Sequence, residues 1–320
     1  MDPRRRLSTW AQSLLAVTVL VILWGAFVRV TGSGAGCADH WPLCNGELFP
    51  RSPRLATVIE LTHRVTSSLA GLLSIVVFFL ARRCGPSGSG LRRAAGIGLF
   101  LMLLEGAIGA LLVKKGLVAK DTSEARALVV GIHLCNTFLL LGAQLATLHL
   151  ARRGRLRFRG TGMLPILLLG SMVLFVLLGA SGAVTALGDT LFPAGSLAAG
   201  VRQDFEAQAH FLVRLRIWHP LLAIAVGALI VYLAQQVRAV YRSPETARWA
   251  TLVTAGYLAQ VVLGSLNLLL LAPAVIQILH LLLADLIWLA LVQLGLVALF
   301  EPASAELPRI GATPQHATGA

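Results

Sequence analysis

Four histidines, His63, His133, His219 and His280, each stand near the start of a long apolar stretch. Imidazole is both a common metal ligand and a proton carrier near neutral pH. A polar side chain inside a bilayer is costly, so one kept there tends to serve function. Four at matched depth make a ligand set for two bis-histidine metal centres. Zinc prefers mixed tetrahedral ligands, and these stretches hold no Cys/His cluster. A di-iron carboxylate bundle needs Glu-x-x-His twice. Glu60 and His63 form one such pair, but Val130, Arg216 and Gln277 stand three residues before the other histidines. Haem needs only axial imidazoles and a dry slot, and it is the expected group.

Glu60 lies three residues before His63, so both share one helix face. It also lies four before Arg64, which leaves two readings open. One is an ion pair that secures the helix end. The other is a carboxylate at the haem edge that moves a proton or holds a reacting group. Glu105 is an accessory candidate of the same kind. Arg64, Arg214 and Arg216, with Arg29 and Arg126, stand near the level of the histidines and are expected to meet haem propionates. Membrane-interface anchoring is the plain alternative for each. Cys37 and Cys44 bound a short loop, for which a structural disulfide is the default in an oxidising compartment and a redox-active pair the alternative. Cys84 and Cys135 read as free and inert, His149 as a residue of the opposite membrane face, and His40, His210 and His316 as loop or tail residues.

The elements that must position these residues are membrane helices. Of 320 residues, 57% are hydrophobic and 13% charged, about half the charge of a soluble domain, and the mean hydropathy is +0.79. The apolar runs approach or exceed the ~20 residues of a membrane helix, whereas a barrel strand needs only ~9–11. Eight spans are expected, at 11–30, 57–81, 94–113, 127–150, 162–184, 211–237, 249–271 and 275–299. The first reads as a retained helix rather than a cleaved signal. The net charge of +13 does not point to nucleic acid, because most of the arginines sit in short connections between spans. Arg4 to Arg6, Arg82 to Arg93, Arg152 to Arg159 and Arg238 to Arg248 mark one side, and that side is expected to be cytoplasmic with both termini. The four histidines then lie at the outer ends of spans two, four, six and eight.

The two halves look alike. Gly25 to Thr31 ends span one, and Gly179 to Thr185 ends span five. Glu105 to Gly109 in span three corresponds to Gln260 to Gly264 in span seven. Each half then closes with a second histidine helix. The expected architecture is an all-α integral membrane protein of eight transmembrane helices, arranged as two pseudo-symmetric four-helix bundles. The segments are a cytoplasmic N-terminus at 1–10, a first half at 11–150, a cytoplasmic linker at 151–161, a second half at 162–299 and a disordered cytoplasmic tail at 300–320. The first half has Glu60 where the second has Arg216, so chemistry is expected in the first and electron storage or transfer in the second.

Several motifs together resemble the haem A synthase family. They are Thr31-Gly32-Ser33-Gly34 leading into Cys37, Asp39, Trp41-Pro42, Cys44 and Gly46, then Glu60, His63 and Arg64. Asp189, Leu191-Phe192-Pro193 and Arg214, Arg216, His219-Pro220 continue the likeness over about residues 10 to 299. The resemblance implies oxidation of the C8 methyl of haem O to a formyl group by successive hydroxylations, for terminal oxidase biogenesis. It implies that His63 and His133 flank the haem O substrate, with Glu60 as the functional carboxylate, and that His219 and His280 ligate a haem b cofactor. Cys37 and Cys44 match the family's outer-loop pair. A haem O synthase and terminal oxidase assembly factors are the implied partners, in the cell membrane. Some members carry a second cysteine pair in the third outer loop, and residues 186 to 210 here contain none.

Two other classes remain. A bis-histidine dihaem electron-transfer cytochrome explains the histidines equally well, although such proteins usually stack haems at different depths. A transporter with duplicated halves would use polar groups near the midplane, such as Gln260, Asn267 and Asp285.

Overall fold

The computed structural model describes residues 2–154 and 156–302. Among them, eight helical segments are long and apolar enough to cross a membrane. The protein is an all-α multi-pass membrane protein. The spans are α1 (Pro3–Val30), α2 (Leu55–Cys84), α3 (Gly90–Lys114), α4 (Glu124–Arg153), α5 (Leu164–Leu191), a sixth composite span, α9 (Pro244–Leu269) and α10 (Ala274–Leu299). The composite span starts as α7 (Phe211–Arg214), passes through a 3-10 turn at Leu215–Ile217 and continues as α8 (Trp218–Val240). Pro220 sits in the first turn of α8, where its missing N–H leaves no helical bond unmade.

Most helices overrun the expected spans, because a helix ends at its cap and not at the hydrocarbon edge. Ser89, Ser123 and Ser243 accept hydrogen bonds from the backbone N–H groups of Arg92, Arg126 and Thr246, satisfying donors that a helix start leaves unpaired. α5 runs about two turns past its expected end at 184. There Leu187 is buried against Ala127 and Leu212, and Gly188 faces the Leu212 carbonyl, 2.9 Å from where a Cβ would stand. Tertiary contact thus extends the helix. The loop expected after it contains a further helix, α6 (Leu197–Phe205), capped by Ser196.

Helix neighbours form two rings. α1 packs on α2 and α4, and α3 closes the ring between them. α5 packs on α8 and α10, and α9 closes the second ring. The rings meet where α4 touches α5 and α10, and where α1 touches α10. The seam is aromatic. Phe138, Phe175 and Trp288 lie with ring centroids 5.5 to 5.8 Å apart, and the Trp288 indole N–H donates to the Phe138 carbonyl at 2.6 Å. Gly179 of α5 lets Phe138 approach so closely that a Cβ there would fall 2.2 Å from the ring.

At the opposite end from the histidines, the connection expected to be a plain linker forms β1 (Leu156–Phe158). It pairs antiparallel with β2 (Phe300–Pro302). The chain is therefore ordered to Pro302, three residues into the segment expected to be a disordered tail; the tail from 303 lies outside the described residues. Arg159 caps the end of α10. Its side chain donates to the carbonyls of Ala298 and Val297 at 2.8 and 3.0 Å, groups that a helix C-terminus leaves unsatisfied.

The Phe138 contact generates a prediction. Gly179→Val forces side-chain atoms into the seam and is expected to destabilise the protein by about 1–3 kcal/mol, the usual cost of overpacking. Gly170→Val, on the same helix with no atom near its Cβ position, is expected to be nearly neutral. Thermal unfolding in detergent, followed by tryptophan fluorescence, compares the two.

Candidate functional site

All four histidines line one cavity of about 1130 Å³ that crosses the histidine end of both rings. A usual small-molecule pocket holds ~300–1,000 Å³, so there is room for more than one large group. The histidines occupy the second or third turn of their spans, which sets them at one level. His63 and His133 stand on helices of the first ring, and His219 and His280 on helices of the second.

Three of the imidazoles lie against a glycine of the neighbouring helix. The ring of His63 faces Gly25 of α1, His219 faces Gly182 of α5, and His280 faces Gly264 of α9. A Cβ on these glycines would meet ring carbons at 3.0, 2.8 and 3.0 Å. The task of these glycines is to make room for imidazoles. His133 is different. Its Nδ1 lies 3.3 Å from Oε1 of Glu105 on α3, and Gly109 has no atom near its Cβ position. His219 Nδ1 bonds Ser181 Oγ at 2.9 Å. Nδ1 of His63, of His133 and of His280 is buried without a hydrogen-bond partner, the Glu105 carboxylate standing near His133 Nδ1 without forming an aligned hydrogen bond.

Glu60 is buried and fully engaged. Oε2 accepts the backbone N–H of Cys37 at 2.9 Å. Oε1 accepts from Arg64 at 2.5 and 3.1 Å. Arg64 also donates to the carbonyls of His40 and Leu43, both at 2.7 Å. The ion-pair reading of Glu60 therefore holds geometrically, and the pair clamps the cysteine loop onto α2. Glu60 nevertheless lines the cavity, with Arg64, Trp41 and Pro42. Cys37 and Cys44 come to disulfide spacing, their Cα atoms 4.4 Å apart. Gly36 lies so close to the start of α2 that a Cβ would stand 2.4 Å from the Ala56 backbone.

The expected propionate partners divide. Arg214 is exposed on α7 and does not line the cavity; it stands two residues from Arg216, on another side of the turn. Arg216 does line it but is committed. It donates to the Gly188 and Phe192 carbonyls at 2.8 and 2.6 Å and lies 3.1 Å from Asp189 and 3.9 Å from Asp204. Burial pushes the Asp204 carboxyl up from its ordinary range, against the pull of Arg216. Arg64 is neutralised by Glu60. Among the described residues, the cavity arginines that bond only neutral acceptors are Arg29 and Arg126. Arg29 reaches from α1 to the Ala186 carbonyl, Thr190 and Gln277, and Arg126 holds the Ala119 and Asp121 carbonyls.

His149 is buried at the far end of α4 and bonds Gln293 at 3.0 Å, away from the cavity. His210 caps α7 and stacks on Phe192. Asn136 and Thr137, which hold Glu105 from α4, were not singled out as site residues. Their spacing of three and four residues after His133 was the available signal.

The fold and the cavity define a multi-pass membrane protein built around paired intramembrane histidines. The chain belongs to the COX15-CtaA family, described as cytochrome oxidase assembly protein, whose profile matches residues 8–292. A protein of Thermus thermophilus named protoheme IX farnesyltransferase is 45% identical over 316 residues, which cover 98% of this chain and 52% of that protein. This chain thus spans about half the length of its Thermus relatives. A heme A synthase of Symbiobacterium thermophilum is 40% identical over 131 residues, covering 39% of this chain and 40% of its own. One of Bacillus mycoides is 44% identical over 78 residues, covering 24% and 25%.

The Glu60–Arg64 clamp can be tested directly. Removing one partner of a buried ion pair typically costs about 3–5 kcal/mol. Arg64→Ala is expected to lower the unfolding temperature and to speed thiol labelling of Cys37 and Cys44 after mild reduction. Glu60→Gln, which still accepts from the Cys37 N–H, is expected to show a smaller effect in both measurements.

Proposed function

We propose that this protein is a haem A synthase, an oxidoreductase that converts the C8 methyl of haem O to a formyl group by successive hydroxylations. The observation that carries this reading is the pairing of four imidazoles on one cavity, with a buried carboxylate beside the first pair alone. In this reading His63 and His133 flank the haem O substrate in the first half. His219 and His280 hold a haem b in the second. The two halves are a duplication around an axis along the membrane normal. The protein sits in the cell membrane with both termini in the cytoplasm.

The donor set fits haem. The imidazoles stand in pairs rather than in a cluster, and among the described residues no three His, Cys, Asp or Glu side chains gather to hold a bare metal ion. Glycines at Gly25, Gly182 and Gly264 keep the ring faces clear. Ser181 fixes His219 through Nδ1, which leaves Nε2 for a ligand and sets the ring orientation. The haem b, when bound, supplies one-electron transfer. Arg29 and Arg126 offer unneutralised charge for propionates. Arg29 is anchored on the second half and so lies where both halves can use it.

Glu60 holds or moves a proton at the edge of the first site. Its two fixed hydrogen-bond sets keep the carboxylate at one position, and the loop from Cys37 to Cys44, held by a disulfide, covers the site. The name of the Thermus relatives describes a prenylation of haem, and a prenylated haem is the substrate proposed here. The two reactions would be consecutive. Prenyl transfer from a diphosphate calls for carboxylates that hold magnesium against the phosphates. The cavity carboxylates Glu60, Asp189 and Asp204 are drawn to arginines and Glu105 to Asn136 and Thr137, while four imidazoles line the same space, which supports assigning the oxidation to this chain.

The test is haem extraction from protein purified from cells that make haem O, with chromatographic identification, on wild type and Glu60→Gln. Wild type is expected to yield haem b with haem O or haem A. The variant is expected to accumulate haem O or a hydroxylated intermediate. Two haem b per chain in both proteins would overturn the synthase and favour the dihaem cytochrome. A separate expectation is that Gly182→Leu, which displaces the His219 ring, loses haem b by pyridine haemochrome assay while retaining the first-half haem.

A further inference from the structure

Among the described residues, a carboxylate stands beside the second nitrogen of His133 and of no other of the four histidines, although the neutral Ser181 hydroxyl bonds that of His219. Glu105 Oε1 accepts from Thr137 Oγ1 at 2.5 Å and lies 3.3 Å from His133 Nδ1. Oε2 accepts from the Asn136 amide, whose second N–H goes to the Leu101 carbonyl at 3.0 Å. Asn136 and Thr137 are buried. Their spacing after His133 puts all three on the face of α4 that meets α3. The carboxylate is thus gripped by two neutral donors of the histidine's own helix and stands 3.3 Å from the histidine's second nitrogen, without an aligned hydrogen bond to it.

The corresponding positions of the second half replace the whole device. Gln260 stands for Glu105, and Leu283 and Ala284 follow His280 where Asn136 and Thr137 follow His133. Gln260 donates its amide to the His280 carbonyl at 3.0 Å, and its own oxygen is buried without a partner. His280 Nδ1, like His133 Nδ1, is without a hydrogen-bond partner, but only His133 has a carboxylate within 3.3 Å of it. The carboxylate, amide and hydroxyl that stand together in the first half are replaced together by Gln260, Leu283 and Ala284 in the second.

We propose that Glu105 is a positioning residue for His133, and that the Glu105–Asn136–Thr137 set gives the first-half iron a more electron-rich axial ligand than the second half has. This rests on the reading of His133 and His280 as haem ligands. A carboxylate on the far nitrogen of a ligating imidazole fixes the ring and raises its basicity, and hydrogen bonding beside an axial ligand is one of the levers on haem potential. Negative charge there favours oxidised iron. The first-half centre is therefore the one with the lower reduction potential, and the second half, where the neutral Gln260 stands behind His280, is the one with the higher.

The experiment uses full-length protein purified from cells that also make a haem O synthase, analysed by spectroelectrochemical redox titration and low-spin electron paramagnetic resonance. Wild type is expected to show two components. Glu105→Gln is expected to raise the midpoint of the lower one and shift its resonance, leaving the other unmoved, with Glu105→Asp intermediate. A second variant, Gln260→Glu with Leu283→Asn and Ala284→Thr, transplants the set and is expected to lower the midpoint of the second-half haem. Unmoved midpoints in Glu105→Gln with haem content intact would overturn the proposal. Should Glu105→Gln shed its haem, the transplant decides, and an unchanged second-half midpoint overturns it. Wild type without a first-half haem would instead defeat the reading of that site, while the transplant still reports on the device.

Discussion

An imidazole ring can project into a cavity between two packed helices only if the neighbouring backbone yields space. Helices in a membrane pack closely through small residues, and a Cβ at Gly25, Gly182 or Gly264 would take up the room the rings now occupy. This constraint organises the histidine end of the molecule. It bears on which helix neighbours which, because three of the four histidine rings need a glycine on the facing helix, and α1, α5 and α9 supply them. The odd member, His133, neighbours α3, where a carboxylate 3.3 Å from its second nitrogen stands in place of a glycine contact.

The same economy appears in Glu60. A carboxylate buried beside an arginine is a stability risk if either partner is lost, and here the pair also fixes three points of a loop that is otherwise short of regular structure. Structural and chemical roles need not compete for such a residue. A group that must meet a reacting edge in one orientation benefits from being immobilised by the backbone of its own lid. The Cys37 N–H, the His40 carbonyl and the Leu43 carbonyl serve that end. The cavity charges follow a related logic. Arg64 and Arg216 are balanced by nearby carboxylates, and the arginines bonded to neutral groups sit where an anionic ligand could complete them.

Hydropathy made the eight spans legible, and the depth of the four histidines followed from span boundaries alone. Glu60 beside His63 and Arg64 was legible from helical spacing. What was not legible depends on contacts between distant segments. α5 continues past 184 because Leu187 and Gly188 meet Leu212, and nothing local marks that extension. α6, at nine residues, is too short to stand out as a span. Arg159 reads as one more charge in a basic linker, yet its partners are carbonyls at the end of α10. Arg214 and Arg216 look equivalent in one dimension, and a helical turn sends one to solvent and the other to the cavity.

The two halves differ chiefly in where their charges sit relative to the histidines. In the first, Glu60 precedes His63 by three residues and Glu105 backs His133. In the second, Arg216 precedes His219 by three residues and Gln260 stands behind His280. Glu60 and Arg216 are each balanced by a partner of opposite charge, so the difference in local charge rests on Glu105, where the second half has the neutral Gln260. A positive group near a bound iron resists its oxidation, and a negative group near it resists its reduction. Two haem sites of one design would thereby acquire an ordered pair of potentials without any change of axial ligand. The difference would lie in a handful of side chains one layer out from the imidazoles, in helices whose packing is otherwise shared.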